Sequence, residues 1–171
     1  MKLLMTIAFL AASVAPATAQ HQHYRGQENR DIKALSPDEV KQYLAGAGMG
    51  YAKAAELNHF PGPMHVLELA EPLGLTAEQR AATERLMQSH KSEARALGAK
   101  LVAAEQAVEQ LFRSGQVEGS DLETAVAAAA RLQGAYRLSH LETHRQMRAL
   151  LTDEQVKRYD ALRGYHQHRK H

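Results

Sequence analysis

Two short runs hold residues whose types and spacing fit metal chemistry: M-Q-S-H at 87–90 and H-L-E-T-H-R-Q-M at 140–147. Residues three or four apart share one face of a helix. Met87 therefore points with His90, and His140 points with His144 and Met147. Imidazole and thioether together make a soft-to-intermediate donor set that favours copper, above all Cu(I). Zinc, nickel and cobalt prefer more nitrogen and oxygen, and Glu93 or Glu142 would supply that oxygen. The spacing argues against a zinc hydrolase. H-E-x-x-H sets its glutamate directly after the first histidine, as base for metal-bound water. Here Leu141 follows His140, and Glu142 lies about 200° around the helix.

The chain has 171 residues, ten of them histidine and none cysteine. Without thiolates, a metal must be held by His, Met, Asp or Glu. His21 and His23 near one end, and His166, His168 and His171 at the other, form H-x-H-like tracts that bind divalent ions loosely; a plain polar tail explains them equally. His65 closes the phrase H-F-P-G-P-M-H, where a capping role and a ligand role are both open. The bland reading of the main cluster also stands: methionine at a helical seam is commonly core filler, and a seam histidine commonly a hydrogen-bonded neighbour. A formal net charge of +2 indicates no attraction to nucleic acid. No nucleophile–base pair, phosphate loop or cofactor fingerprint marks an enzyme.

The elements that must position these residues are helices. Six Tyr, three Phe and no Trp do not suit a large globular core, and the alanine-, leucine- and glutamate-rich composition suits long helices. One helix is expected from Thr76 to about Arg113, roughly 57 Å at 1.5 Å per residue, and a second from Ser120, with an S-x-x-E box to Glu123, to Leu150. On the first, Thr83, Met87, His90, Ala94, Leu97, Leu101, Ala104, Val108 and Leu111 recur at steps of three and four. On the second, Leu122, Val126, Ala129, Gln133, Tyr136, His140, Thr143, Met147 and Leu150 do the same. That is the pattern of antiparallel helix packing. Folded at the loop near 117, facing positions sum to about 234. Leu101 then faces Gln133, Leu97 faces Tyr136, Ala94 faces His140, His90 faces Thr143 with His144 beside it, and Met87 faces Met147.

The remaining organisation is expected as follows. Residues 1–19 form a signal peptide: Lys2, an apolar stretch too short to span a bilayer, and an A-T-A cleavage site. Residues 20–35 form a flexible His-containing arm, and 36–63 hold short helices, opened by Ser36, Pro37 and Glu39, with a P-G-P turn in which Asn58 caps. A helical hairpin domain follows at 64–164, then a His-rich tail at 165–171. The phrase L-T-x-x-Q occurs at 75–79 and again at 151–155. Each reads as an apolar residue ahead of a Thr-x-x-Gln capping box, and capping alone accounts for its residue types.

An all-α, cysteine-free, exported chain with two L-T-x-x-Q phrases about one hairpin apart resembles the Spy/CpxP family of periplasmic stress proteins, with its zinc-associated ZraP-type and nickel/cobalt-sensing CnrX-type relatives. The resemblance covers roughly residues 64–163. It implies a hooked helical hairpin that dimerises into a curved cradle in the periplasm. It also implies either transition-metal sensing or buffering, or ATP-independent holdase activity on unfolded clients without an essential metal. Metal-sensing relatives use His, Glu and Met from such helices, which His140, His144 and Met147 would supply here. A membrane-bound sensor or anti-sigma factor is the corresponding partner class.

Overall fold

The computed structural model describes Tyr24 and residues 26–165. The expected signal peptide, His21, His23, His166, His168 and His171 lie outside the described residues. Among the described residues six helices follow in order: α1 Pro37–Ala45, α2 Lys53–Glu56, α3 Pro63–Glu68, α4 Ala77–Ser114, α5 Gly119–Leu150 and α6 Asp153–Arg163. Among the described residues there is no strand, and no helix is long and apolar enough to cross a membrane.

The helix starts follow local chemistry. Ser36 accepts from the Glu39 amide while the Glu39 carboxylate accepts from the Ser36 amide, with Pro37 at the first helical position. Thr76 with Gln79 and Thr152 with Gln155 close the same reciprocal box at α4 and α6. These boxes satisfy amides that a helix start otherwise leaves orphaned. One expectation needs correction. The helix after the loop starts at Gly119 behind an extended Glu118 that lends no side-chain cap. Ser120 therefore already sits inside the helix, where its carbonyl accepts from the Thr124 hydroxyl. Asn58 caps the end of α2, its amide donating to the Ala54 carbonyl at 2.7 Å, and α3 starts behind Gly62.

α4 and α5 pack as the expected antiparallel hairpin. Ala94, Leu101, Ala129, Tyr136, His140, Thr143 and Met147 are buried along the seam. Burial is uneven, because the short helices cover only part of the hairpin. Nearer the turn, Val126 is 49 % exposed and Gln133 is exposed as well. Under α1 the core is Tyr43, Ala94, Leu101 and Tyr136. Gly98, the one glycine inside α4, explains this approach: a Cβ there would sit 1.9 Å from the Tyr43 carbonyl oxygen. Part of the expected flexible arm is tied down. Ile32 is buried, Lys33 Nζ meets Glu109 at 2.6 Å, and Arg113 donates to the Arg30 and Asp31 carbonyls.

At the base of the hairpin, α3, α6 and the ends of α4 and α5 enclose Val66, Leu73, Met147, Leu151, Val156 and Tyr159. Full burial of such a side chain contributes roughly 1.5–3 kcal/mol. Beside this core the two L-T-x-x-Q phrases meet. Gln79 Nε2 donates to Gln155 Oε1 at 2.8 Å, and Gln155 Nε2 donates back to Gln79 Oε1 at 2.9 Å. Gln79 Nε2 also donates to the Leu150 carbonyl at 2.9 Å. Each Oε1 at the same time accepts its own cap amide, from Thr76 at 3.1 Å and from Thr152 at 3.0 Å. Capping alone is thus an incomplete account of the motif. A glutamate would close either box, but only an amide both accepts from its own cap and donates to the other motif.

Candidate metal centre

A cavity of about 550 Å3 lies between the hairpin and the strap that runs from Gly46 to α3. Met87, His90, His140 and His144 line it from the long helices. Met49 and Glu56 line it from the strap, and Met64 and His65 from α3. Met147 does not reach it. That side chain is fully buried in the basal core, because Val66 of α3 and Val156 and Tyr159 of α6 pack over its end of α5.

His90 and His140 touch directly, Nε2 to Nδ1 at 3.0 Å, with the rings edge to face at a centroid distance of 4.5 Å. The contact runs diagonally, one turn away from the Ala94–His140 layer the register predicts. Burial, and then the neighbouring His144, hold the His90 pKa below its ordinary value. Burial first, then His90 and His144, push His140 down to about 4. Both rings are therefore neutral near pH 7. One donates to the other, so between the two outer nitrogens, His90 Nδ1 and His140 Nε2, one carries a proton and the other a free lone pair. Both outer nitrogens are buried and have no hydrogen-bond partner. Leaving such groups unsatisfied costs about 1–3 kcal/mol each.

His144 is set differently. Its Nδ1–H donates to the Phe60 carbonyl at 2.7 Å, a hydrogen bond of the kind that fixes the tautomer of metal-bound histidines and leaves Nε2 with its lone pair. Gly62 makes room for this, since a Cβ there would lie 2.9 Å from His144 Cε1 and 3.0 Å from Nε2. Glu56, the one carboxylate lining the cavity among the described residues, is already partly engaged. It accepts from the Tyr159 hydroxyl at 2.5 Å, the Tyr165 hydroxyl at 3.1 Å and the Gly62 amide at 3.2 Å, and Arg163 stands 3.8 Å away. Tyrosines wall off His140: the Tyr136 ring lies 4.8 Å away and Tyr51 stacks at 6.4 Å. Tyr136 donates to the Ala47 carbonyl at 2.6 Å, and burial, with Tyr51 beside it, pushes its hydroxyl up to about 12.

The remaining candidates sit elsewhere or are occupied. Glu93 and Glu142 line a separate cleft on which His90 also borders. Glu142 is held by Arg145 at 2.6 and 2.7 Å and by Gln146 at 2.9 Å, which pulls its carboxyl down to about 2. His65 pairs with Glu68 at 2.8 Å. Among the described residues, no three His, Asp or Glu side chains converge as a metal-binding group, so an all-nitrogen-and-oxygen site of the zinc kind is not built here. The donors that share the cavity are imidazoles and thioethers. Sequence reasoning missed Met49, Glu56 and Met64; for Met64 the signal was its place between the P-G-P turn and His65.

No curated protein and no solved structure matches this chain. A protein-family comparison matches residues 63–163, the hairpin with both L-T-x-x-Q phrases, to the family described as LTXXQ motif family protein. That family is of Spy/CpxP type, typically periplasmic, stress-related and generally non-enzymatic. The strap from Gly46 to Gly62 precedes the matched segment, whereas Met64, Met87, His90, His140 and His144 lie within it. With more than half its length matched and the two motifs joined through their glutamines, the chain belongs to the LTXXQ motif family.

Proposed function

We propose that this protein is a periplasmic stress protein that binds a soft transition metal, copper(I) before zinc, nickel or cobalt, in the cavity between strap and hairpin, as a sensor or buffer. The observation that carries this reading is the neutral His90–His140 pair with its unpartnered buried nitrogens. In the empty pair one proton joins the facing nitrogens, 3.0 Å apart; with that proton moved to an outer nitrogen, one ion ~2.0–2.1 Å from each takes its place. Charge favours a monovalent ion. Lys91 and Arg163 also border the cavity, and its carboxylate is spent on two tyrosines, a backbone amide and Arg163. A hard dication finds one carboxylate there, its Oε1 taken by both tyrosines and its Oε2 by the Gly62 amide alone, whereas Cu(I) is matched by the neutral nitrogen and sulfur that dominate the lining. His90 and His140, with Met87 beside them in the cavity, are the residues proposed to hold it. A homodimer, and a membrane-bound sensor or anti-sigma partner, fit the same reading.

Titration with Cu(I) under a competing chelator, and with Zn(II), tests the site in wild type and in a His90→Ala/His140→Ala variant. Loss of tight Cu(I) binding in the variant is the expected result; unchanged stoichiometry and affinity reject the site. A second reading, a holdase for unfolded clients without a metal, is favoured by the apolar side chains the hairpin exposes, Phe112, Val126 and Leu138. Suppression of client aggregation that persists in chelator supports it, and no suppression with or without chelator rejects it.

A further inference from the structure

We infer that the cavity between strap and hairpin is a binding site for a small amphipathic anion, an apolar tail bearing one carboxylate. This site goes beyond the metal reading and does not rest on it. The cavity volume, about 550 Å3, falls in the range of sites that take one small organic molecule. Much of the wall is apolar, with Met49, Leu57, Pro63, Met64 and Met87 lining it. Of the four methionines among the described residues, three line this cavity and the fourth, Met147, fills the basal core. Thioether side chains are unbranched and polarisable, so a wall built from them adapts to tails of different shape. Two of these apolar residues stand open to water: Leu57 is 55 % exposed and Met64 is 48 % exposed. A tail that covers them removes that surface from water, which drives binding.

Charge decides which head group that tail carries. Apart from histidines, the charged side chains lining the cavity are Lys53, Lys91, Arg163 and Glu56. Glu56 accepts from the Tyr159 and Tyr165 hydroxyls and from the Gly62 amide, and Arg163 stands 3.8 Å from it. Those two charges offset each other. Lys53 on α2 and Lys91 on α4 are both exposed, and neither has an ion-pair partner among the described residues. An excess of positive charge therefore borders an apolar cavity. An alkylammonium is repelled there, and a neutral tail gains nothing from the lysines. A carboxylate is attracted by both. A single lysine on a solvated helix face is ordinary, but these two come from different elements and border the same apolar wall.

Metal-free protein with 13C-labelled methionine methyl groups is titrated with decanoate, and separately with anilinonaphthalene sulfonate, an apolar anion that fluoresces when shielded from water. The expected result is that decanoate displaces the dye and decyltrimethylammonium does not. Decanoate also shifts the Met49, Met64 and Met87 methyl signals and leaves Met147 in place. Lys53→Glu/Lys91→Glu weakens decanoate binding by about tenfold or more. Lys41→Glu/Lys100→Glu, at exposed lysines away from the cavity, makes the same change in net charge and leaves binding unchanged. Displacement by both amphiphiles alike, unshifted cavity methionines, or equal weakening by the two lysine pairs overturns the site. Copper(I) titration is read separately. Decanoate binding without copper(I) binding keeps this site and rejects the metal centre; copper(I) binding without decanoate binding rejects this site alone.

Discussion

Replacing Gln155 by glutamate exchanges one NH2 group for an oxygen, at the point where the two L-T-x-x-Q phrases meet. The new side chain still accepts from the Thr152 amide, now 3.0 Å from Gln155 Oε1, and from Gln79 Nε2, now 2.8 Å away. What disappears is the return bond from Gln155 Nε2 to Gln79 Oε1 at 2.9 Å. In its place a carboxylate oxygen faces a carbonyl oxygen with no proton between them. One lost hydrogen bond plus a part-buried acceptor facing a charge amounts to about 2 kcal/mol. At ~2–4 °C per kcal/mol for a chain of this size, thermal melting at pH 7.5 should fall by about 4–8 °C. The sign with pH is the diagnostic part. The introduced carboxyl has its folded pKa raised above an unfolded value of about 4.3, since protonation restores a donor toward Gln79. The deficit relative to wild type is therefore fully present at neutral pH and shrinks as pH falls through the raised value. Gln79→Glu should show the same pH trend but a larger deficit, because it also loses the bond to the Leu150 carbonyl, and the double variant should cost more than the sum, because two carboxylates then face each other. Circular-dichroism melts of the three variants from pH 7.5 to 4.5 read all of this. A Gln155→Glu protein melting within about 1 °C of wild type, with no pH trend in the difference, would falsify the account and leave capping as the motif's whole role.

Gly98→Ala should destabilise the fold by about 1–3 kcal/mol through overpacking, because the new Cβ would lie 1.9 Å from the Tyr43 carbonyl. An exposed helical glycine shows the opposite sign, gaining about 1 kcal/mol, so a stabilised variant in chemical denaturation refutes the close approach of α1. His90→Leu/His140→Leu should leave the metal-free protein as stable as wild type, or up to about 2 kcal/mol more so, since it removes two unsatisfied buried groups, while abolishing copper(I) binding; a variant several kcal/mol weaker would contradict the orphaned pair. Stability should also fall with acid because of His140. Its folded pKa of about 4 lies below the ordinary 6.5, so the unfolded chain binds the extra proton and the loss accumulates as pH drops from 6.5 towards 4. Discounted by half for residual solvent screening, it is about 1.5 kcal/mol. Denaturation at pH 7.5 and 4.5 should show a smaller drop in His140→Leu than in wild type, and equal drops would overturn the assignment.

The sequence by itself determined what depends on neighbours along the chain. The capping boxes of Ser36, Thr76 and Thr152, the span of α4 and the packing of α4 on α5 follow from short-range hydrogen bonding and from apolar residues repeating every three or four positions. The start of α5 escaped because the Ser120 box was a correct local pattern that an extended Glu118 pre-empted. Tertiary structure decided which side of the hairpin each face would meet. His144 and Met147 lie three residues apart and share a helix face, yet one borders the cavity and the other fills the core. The boundary between those fates is drawn by α3 and α6, which the spacing on α5 does not encode. The same holds for Met64, which the docking of α3 on the basal core brings to the cavity that His90 and His140 also line. The glutamines of the two motifs were legible as caps because that bond spans three residues. Their bond to each other spans 76 and exists only once the hairpin has closed.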